Sequence, residues 1–181
     1  MNDFPLPIIG FCAYSGIGKT TLLTKLISLL TTEGIRVGVV KHAHHDFDTD
    51  HPGKDSFELR HAGGSQMLVA SRRRTALIVE HKNPLREPRL ADVLTNLRLE
   101  DLDLVLVEGF KQEAIPKIEL HRSGMNRPLI FPSDTNVVAI ACDYEIDPGN
   151  HPVATLDINN IQQICLFIRQ YMPNKRVAAI R

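Results

Sequence analysis

The stretch Pro7-Ile-Ile-Gly-Phe-Cys-Ala13-Tyr-Ser-Gly-Ile-Gly-Lys-Thr20, continued by Thr21-Leu-Leu-Thr-Lys-Leu-Ile-Ser-Leu-Leu30, decides the fold. It opens on an apolar run short enough for one buried strand. It closes on Leu22, Leu23, Leu26, Ile27 and Leu30, which fall at helical spacing. Between them, Ala13 to Thr20 has the spacing of a phosphate-binding loop, and strand–loop–helix is the setting that loop requires. Gly16 and Gly18 let the backbone curl, so that the N–H groups of Ser15, Gly16, Ile17, Gly18, Lys19, Thr20 and Thr21 form an anion nest. The helix that follows adds its positive end. Lys19 is placed to reach β- and γ-phosphates, and the Thr20 hydroxyl to ligate Mg²⁺. Ala13 stands where such loops usually begin with glycine, and alanine fits there if its backbone is extended.

Outward from this loop, Gly34 supplies a helix stop and Ile35 to Val40 a second buried strand, which completes a βαβ unit and favours a parallel sheet. Asp55 to Ala62 reads as a short helix closed by Gly63 and Gly64. Gln66 to Ser71 and Thr75 to Glu80 read as a hairpin around three arginines, hence partly antiparallel. Residues 81–89, with two prolines, read as a surface linker. Leu90 to Leu99 has helical spacing; Leu102 to Val107, Ile115 to His121 and Val137 to Cys142 are strand candidates; residues 124–135 are rich in turn formers. A last amphipathic helix runs from about Asn159 to Met172. The expectation is an α/β, three-layer P-loop NTPase sandwich with a mostly parallel (mixed) sheet, as one nucleotide-binding domain over residues 1–181.

A phosphate-binding loop needs an acidic partner on a neighbouring strand to hold Mg²⁺ or its water. Leu104-Val-Leu-Val-Glu108 ends in such a carboxylate at the sheet edge where ligands bind, and Gly109 can bring an N–H close to a γ-phosphate. Asp143, directly after the strand Val137 to Cys142, is the candidate reader of guanine. A carboxylate there accepts the ring N–H and exocyclic amine, and adenine lacks that amine. His42, His44, His45, His51, Asp46, Asp48 and Asp50 crowd one segment. Three readings stand: a loop closing on the γ-phosphate with Asp46 positioning water as a catalytic partner of Lys19, a transition-metal site, or a hydrated loop. Lys54 and Arg60 are candidate contacts for an anionic ligand.

Among the 181 residues, Lys plus Arg and Asp plus Glu number 21 each, so no global field draws the chain to nucleic acid or an anionic membrane. No apolar run is long enough to span a bilayer, and the first residues lack a basic signal-peptide start. Cys12, Cys142 and Cys165 are widely spaced in apolar stretches, which fits reduced, buried thiols in a cytoplasmic protein.

Together, Ala-Tyr-Ser-Gly-Ile-Gly-Lys-Thr-Thr-Leu-Leu, Lys41-His-Ala-His-His-Asp46, Asp48-x-Asp50, Pro52-Gly-Lys-Asp-Ser56, Arg60-x-Ala-Gly63 and Leu106-Val-Glu-Gly-Phe-Lys111 resemble the molybdopterin-guanine dinucleotide biosynthesis protein B family, MobB. The resemblance thins after about Arg127. It implies a GTP-binding homodimer with weak intrinsic GTPase activity. It implies an adapter role toward the guanylyltransferase MobA, which joins GMP to molybdopterin, and contact with molybdopterin and the molybdenum-insertion protein. Two other functions stay open from the residues alone: a small-molecule kinase with its acceptor near Lys41 to Arg60, and a metal-delivery GTPase using the His-rich loop.

Overall fold

The computed structural model describes residues 4–43, 47–81, 87–149 and 151–172. The chain forms two compact units, one of residues 1–42 and 90–181, the other of residues 43–89.

The larger unit is built on β1 (Ile8–Cys12), α1 (Lys19–Thr32) and β2 (Val37–Lys41), followed after the smaller unit by further strands and helices. All five residues of β1 are buried, as a strand covered on both faces must be. Ile9 and Phe11 face one side of the sheet and Ile8 the other. Helix α1 buries Leu22, Leu23, Leu26 and Leu30 against the Ile9 side. Full burial of one such leucine contributes about 2 kcal/mol. The helix stops where the N–H of Gly34 donates to the Thr31 carbonyl and that of Ile35 to the Leu30 carbonyl, a paired closure that takes two orphan carbonyls.

In the rest of this unit lie α3 (Leu90–Leu94), β5 (Leu104–Glu108), β6 (Lys117–Leu120), β7 (Val137–Cys142), β8 (Ala154–Asp157) and α4 (Ile161–Gln170). The six strands run in the order β2-β5-β1-β6-β7-β8, and every neighbouring pair is parallel. Helices α1 and α4 cover one face. Helix α3 with Phe110 and Ile115, then the segment around Phe131, cover the other. This is the α/β, P-loop NTPase-like sandwich expected. The strand order has one consequence for function: from β1 the chain crosses to β2 on one side, while β5 to β6 steps across β1. A crevice at the carboxyl ends of the strands follows at that reversal.

Two elements differ from expectation. The strand Ala154–Asp157 has no counterpart in the sequence reading. The helix from Leu90 ends at Leu94, because Thr95 and Asn96 side chains donate to the carbonyls of Asp92 and Val93 and compete with helix propagation.

The smaller unit holds α2 (Asp55–His61), β3 (Gln66–Ala70) and β4 (Thr75–Val79). The last two form an antiparallel hairpin that is a sheet of its own, so the six-stranded sheet itself has no antiparallel pair. At its tip Ser71 Oγ accepts the N–H groups of Arg73 and Arg74.

Candidate nucleotide site

Residues 13–18 turn the chain from β1 into α1. Gly16 and Gly18 have φ of +85° and +88°, where an L side chain is strained even though no atom lies within 4 Å of an added Cβ. Ile17 between them is buried and anchors the loop. Among the described residues, the N–H groups of Gly16, Ile17, Gly18, Lys19, Thr20 and Thr21 donate to no protein acceptor. No acidic residue occupies the first turn of α1, so its positive end is not neutralised. The arrangement suits an anion.

Glu108 ends β5 beside the loop, in register with Phe11 of β1 on one side and Lys41 of β2 on the other. Its Oε1 lies 3.9 Å from Lys19 Nζ and its Oε2 3.5 Å from Lys41 Nζ, and its side chain is 14% exposed. A half-sheltered carboxylate between two ammonium groups, next to a run of unpartnered amides, fits a divalent cation carried with a phosphate chain. Ser15 and Thr20 are exposed on the same loop.

After Glu108 the backbone makes a tight left-handed turn, with φ +88° at Gly109 and +51° at Phe110. A Cβ at residue 109 would lie 2.7 Å from the His42 Cβ, so only glycine fits there. Phe110 is buried and its ring stacks on the His42 imidazole at 4.7 Å. The His42 N–H donates to the Glu108 carbonyl at 2.8 Å. Lys111 and Arg127 each stand 5.6 Å from the centre of the Tyr14 ring on the loop.

Asp143 lies past the end of β7. Its Oδ1 accepts the Ser123 N–H at 2.6 Å and its Oδ2 the Arg122 guanidinium at 3.4 Å. The Ser123 amide first, then the Ser123 hydroxyl, with Arg122 a smaller contributor, hold its carboxyl below the ordinary range despite partial burial. Segment 121–136, which carries Arg122 and Arg127, is itself pinned from below. Glu119, fully buried, accepts the N–H groups of Ile130 and Phe131 at 2.8 Å each. Burial pushes its carboxyl up, against those two amides. The Arg127 carbonyl accepts from His121 Nε2, which leaves Nδ1 to accept the Tyr144 hydroxyl proton at 2.8 Å. Cys12, at the end of β1, has its thiol pushed up to about 12 by burial and by Glu119, which makes it inert rather than nucleophilic.

In the smaller unit, Arg60 is ringed by Asp48, Asp50 and Glu80. The hydrogen bond it donates to Asp50, then that to Glu80, raises its pKa further. Arg60 is therefore committed to protein carboxylates, contrary to the expectation of a ligand contact. His44, His45 and the candidate catalytic Asp46 lie outside the described residues. Among the described residues, no group of three His, Cys, Asp or Glu side chains is arranged to hold a metal ion.

The structure thus brings Ser15 to Thr21, Glu108 and Gly109 to one edge of the sheet and ties Asp143 to it through Arg122. Sequence reasoning missed Lys41 and Arg122. Lys41 follows from strand order, once β2 is known to flank β5. Arg122 sits in a segment whose sequence shows only turn formers.

A family profile described as MobB, Molybdopterin guanine dinucleotide synthesis protein B, matches residues 8–143. The chain belongs to the MobB family. It is 47% identical over 168 residues to the molybdopterin-guanine dinucleotide biosynthesis adapter protein of Escherichia coli K12, covering 92% of this chain and 94% of that protein. With the protein of the same name from Haemophilus influenzae it shares 45% over 173 residues, 95% and 92% of the two chains. Among solved structures, a MobB homolog from Bacillus stearothermophilus superposes with a TM-score of 0.64 at 26% identity, over 90% of this chain and 98% of that one. Bacillus subtilis MobB reaches 0.71 at 16% identity, over 94% and 100%, and shares the fold.

Proposed function

We propose that this member of the MobB family binds Mg·GTP at the carboxyl edge of its parallel sheet and serves as an adapter in molybdopterin-guanine dinucleotide biosynthesis. The adapter role comes with family membership, since relatives matched over nearly their whole length carry that name. Those names favour neither the kinase nor the metal-delivery reading.

The observation that carries the nucleotide reading is the run of amides from Gly16 to Thr21, which have no protein acceptor among the described residues, beside the Lys19 ammonium and Glu108. Amides from Ser15 to Thr21 hold the phosphates and Lys19 neutralises them. Thr20 and Glu108 would hold Mg²⁺, which would supply charge neutralisation to the phosphates. Lys41, paired with Glu108, adds a second ammonium group on that side of the site. The Gly109 N–H faces the γ-phosphate, Asp46 positions water, and Asp143 reads guanine.

Hydrolysis is slow at most, because the sequence offers no glutamine placed to orient water and no arginine finger, and such a finger alone is worth about 10³–10⁵ in rate. The adapter works in the cytoplasm as a homodimer beside the guanylyltransferase MobA, with molybdopterin and the molybdenum-insertion protein as its further contacts. No described helix is long and apolar enough to cross a membrane.

Calorimetry with GTP, ATP and xanthosine triphosphate tests the reading. Asp143→Asn should move preference from GTP toward the xanthine nucleotide, whose 2-oxo group accepts where guanine donates. Retained preference for GTP would dismiss Asp143. Glu108→Gln should weaken Mg²⁺-dependent binding more than metal-free binding.

A further inference from the structure

Arg122 follows β6 at the carboxyl edge of the sheet and has partners on three separate crossovers. Its Nε donates to the Ile17 carbonyl of the glycine loop at 3.2 Å. Its Nη1 is shared between Asp143 Oδ2 after β7, at 3.4 Å, and Asn159 Oδ1 after β8, at 3.3 Å. Each of those partners is fixed from elsewhere. Asp143 also accepts the Ser123 N–H, the Asn159 N–H donates to Asp157 Oδ1 at 2.8 Å, and Asn160 caps α4 by accepting the Gln163 N–H. Between the ends of β7 and β8 opens a cleft of about 630 Å³, walled by Tyr144, Ile146 and Leu156 and edged by Asp143, Asp157 and Asn159. The cleft is shallow and open, and its mix of apolar side chains and fixed acceptors suits a flat base lying against it.

A carboxylate reads guanine only if its free lone pairs face the base. The Ser123 amide and hydroxyl, with Arg122, occupy part of its acceptor sites and so orient the remainder. The same guanidinium fixes Ile17, whose neighbours hold the phosphates. A planar fork can reach three acceptors at once, and a lysine ammonium on its flexible stem does not reproduce that geometry.

We propose that Arg122 is a positioning residue that locks the base cleft to the glycine loop, so that discrimination for guanine depends on it. The proposal rests on the nucleotide reading above. Base and phosphate ends are thereby held at a fixed separation, and a ligand that satisfies one end finds the other already placed.

The test measures GTP, ATP and inorganic tripolyphosphate binding to the wild-type chain, Arg122→Ala, Arg122→Lys and Asp143→Asn, with a melting curve for each. Arg122→Ala should weaken GTP about tenfold, the worth of a charge-assisted hydrogen bond network, and ATP and tripolyphosphate by clearly less, through the loosened Ile17 carbonyl alone. Arg122→Lys keeps the charge and should fail to restore the GTP preference. Equal losses for all three ligands, an unchanged GTP to ATP ratio, or full rescue by lysine would each overturn the proposal. If Asp143→Asn loses the preference while Arg122→Ala keeps it, the coupling alone fails. If the wild-type chain binds GTP and ATP alike, the base reading beneath it fails as well.

Discussion

Replacing Gly109 by alanine combines two costs that the structure separates. At φ +88°, an L residue gives up about 1–2 kcal/mol to the left-handed conformation. The new Cβ would also stand 2.7 Å from the His42 Cβ. That neighbour cannot swing aside like a side-chain tip, because it moves only with its backbone. The His42 N–H is bonded to the Glu108 carbonyl at 2.8 Å, and losing that bond costs about 1 kcal/mol more. The total is about 2–3 kcal/mol. Gly34→Ala is the control: φ is +81° and nothing lies within 4 Å of the added Cβ, so only the conformational cost applies. Alanine stiffens the unfolded chain equally in both variants, and that gain cancels in the comparison. Urea unfolding followed by circular dichroism should place Gly109→Ala about 1 kcal/mol below Gly34→Ala. Equal losses would show that the contact between His42 and the turn after Glu108 is not tight, and the account of that turn would fall.

Further outcomes follow from the buried charges and thiols. Lys117 is 2% exposed and its Nζ lies 2.7 Å from Asp134 Oδ2, so Asp134→Asn should destabilise by about 3 kcal/mol at pH 7. Burial alone would raise the Asp134 carboxyl, but Lys117 and Asn136 outweigh it and the folded-state value is lowered. Its stabilisation is therefore complete above the unfolded value of about 3.9 and disappears as pH falls through the folded value. The wild-type and Asp134→Asn curves should converge in acid; a gap independent of pH would contradict the assignment. Cys12, Cys142 and Cys165 are buried with thiols pushed up by burial, so a thiol reagent at pH 8 should label the native chain far more slowly than the urea-unfolded chain. Rapid native labelling would refute that.

The parts of the fold legible in the sequence are those where hydrophobic period and chemistry change together. The step from the apolar run at Ile8 to the leucines of α1, across a glycine loop, leaves one physical solution. Likewise the run Leu104 to Val107 ending in Glu108 reads as a buried strand closed by a carboxylate at the sheet edge. Ala154–Asp157 escaped because it is a four-residue edge strand with one buried side chain, Leu156, and so has no period to read. The separateness of the β3–β4 hairpin is a matter of pairing partners, which local pattern does not encode. Arg122 was invisible for a related reason: its partners Ile17, Asp143 and Asn159 are distant in the chain, and only the order of strands brings them together. Lys41 and Glu108 meet through the same order.

The central claim is that the amides of residues 16–21, with Lys19 and Glu108, grip a magnesium-bound nucleoside triphosphate. Thermal denaturation with and without Mg·GTP addresses it most directly. At a hundredfold excess over Kd, a ligand bound only by the native state adds about 2.7 kcal/mol. For a chain of this size, that is a rise of about 5–10 °C in Tm. Lys19→Ala should abolish the rise while leaving the ligand-free Tm nearly unchanged. No rise in the wild-type chain, or the same rise without the Lys19 ammonium, would contradict the account.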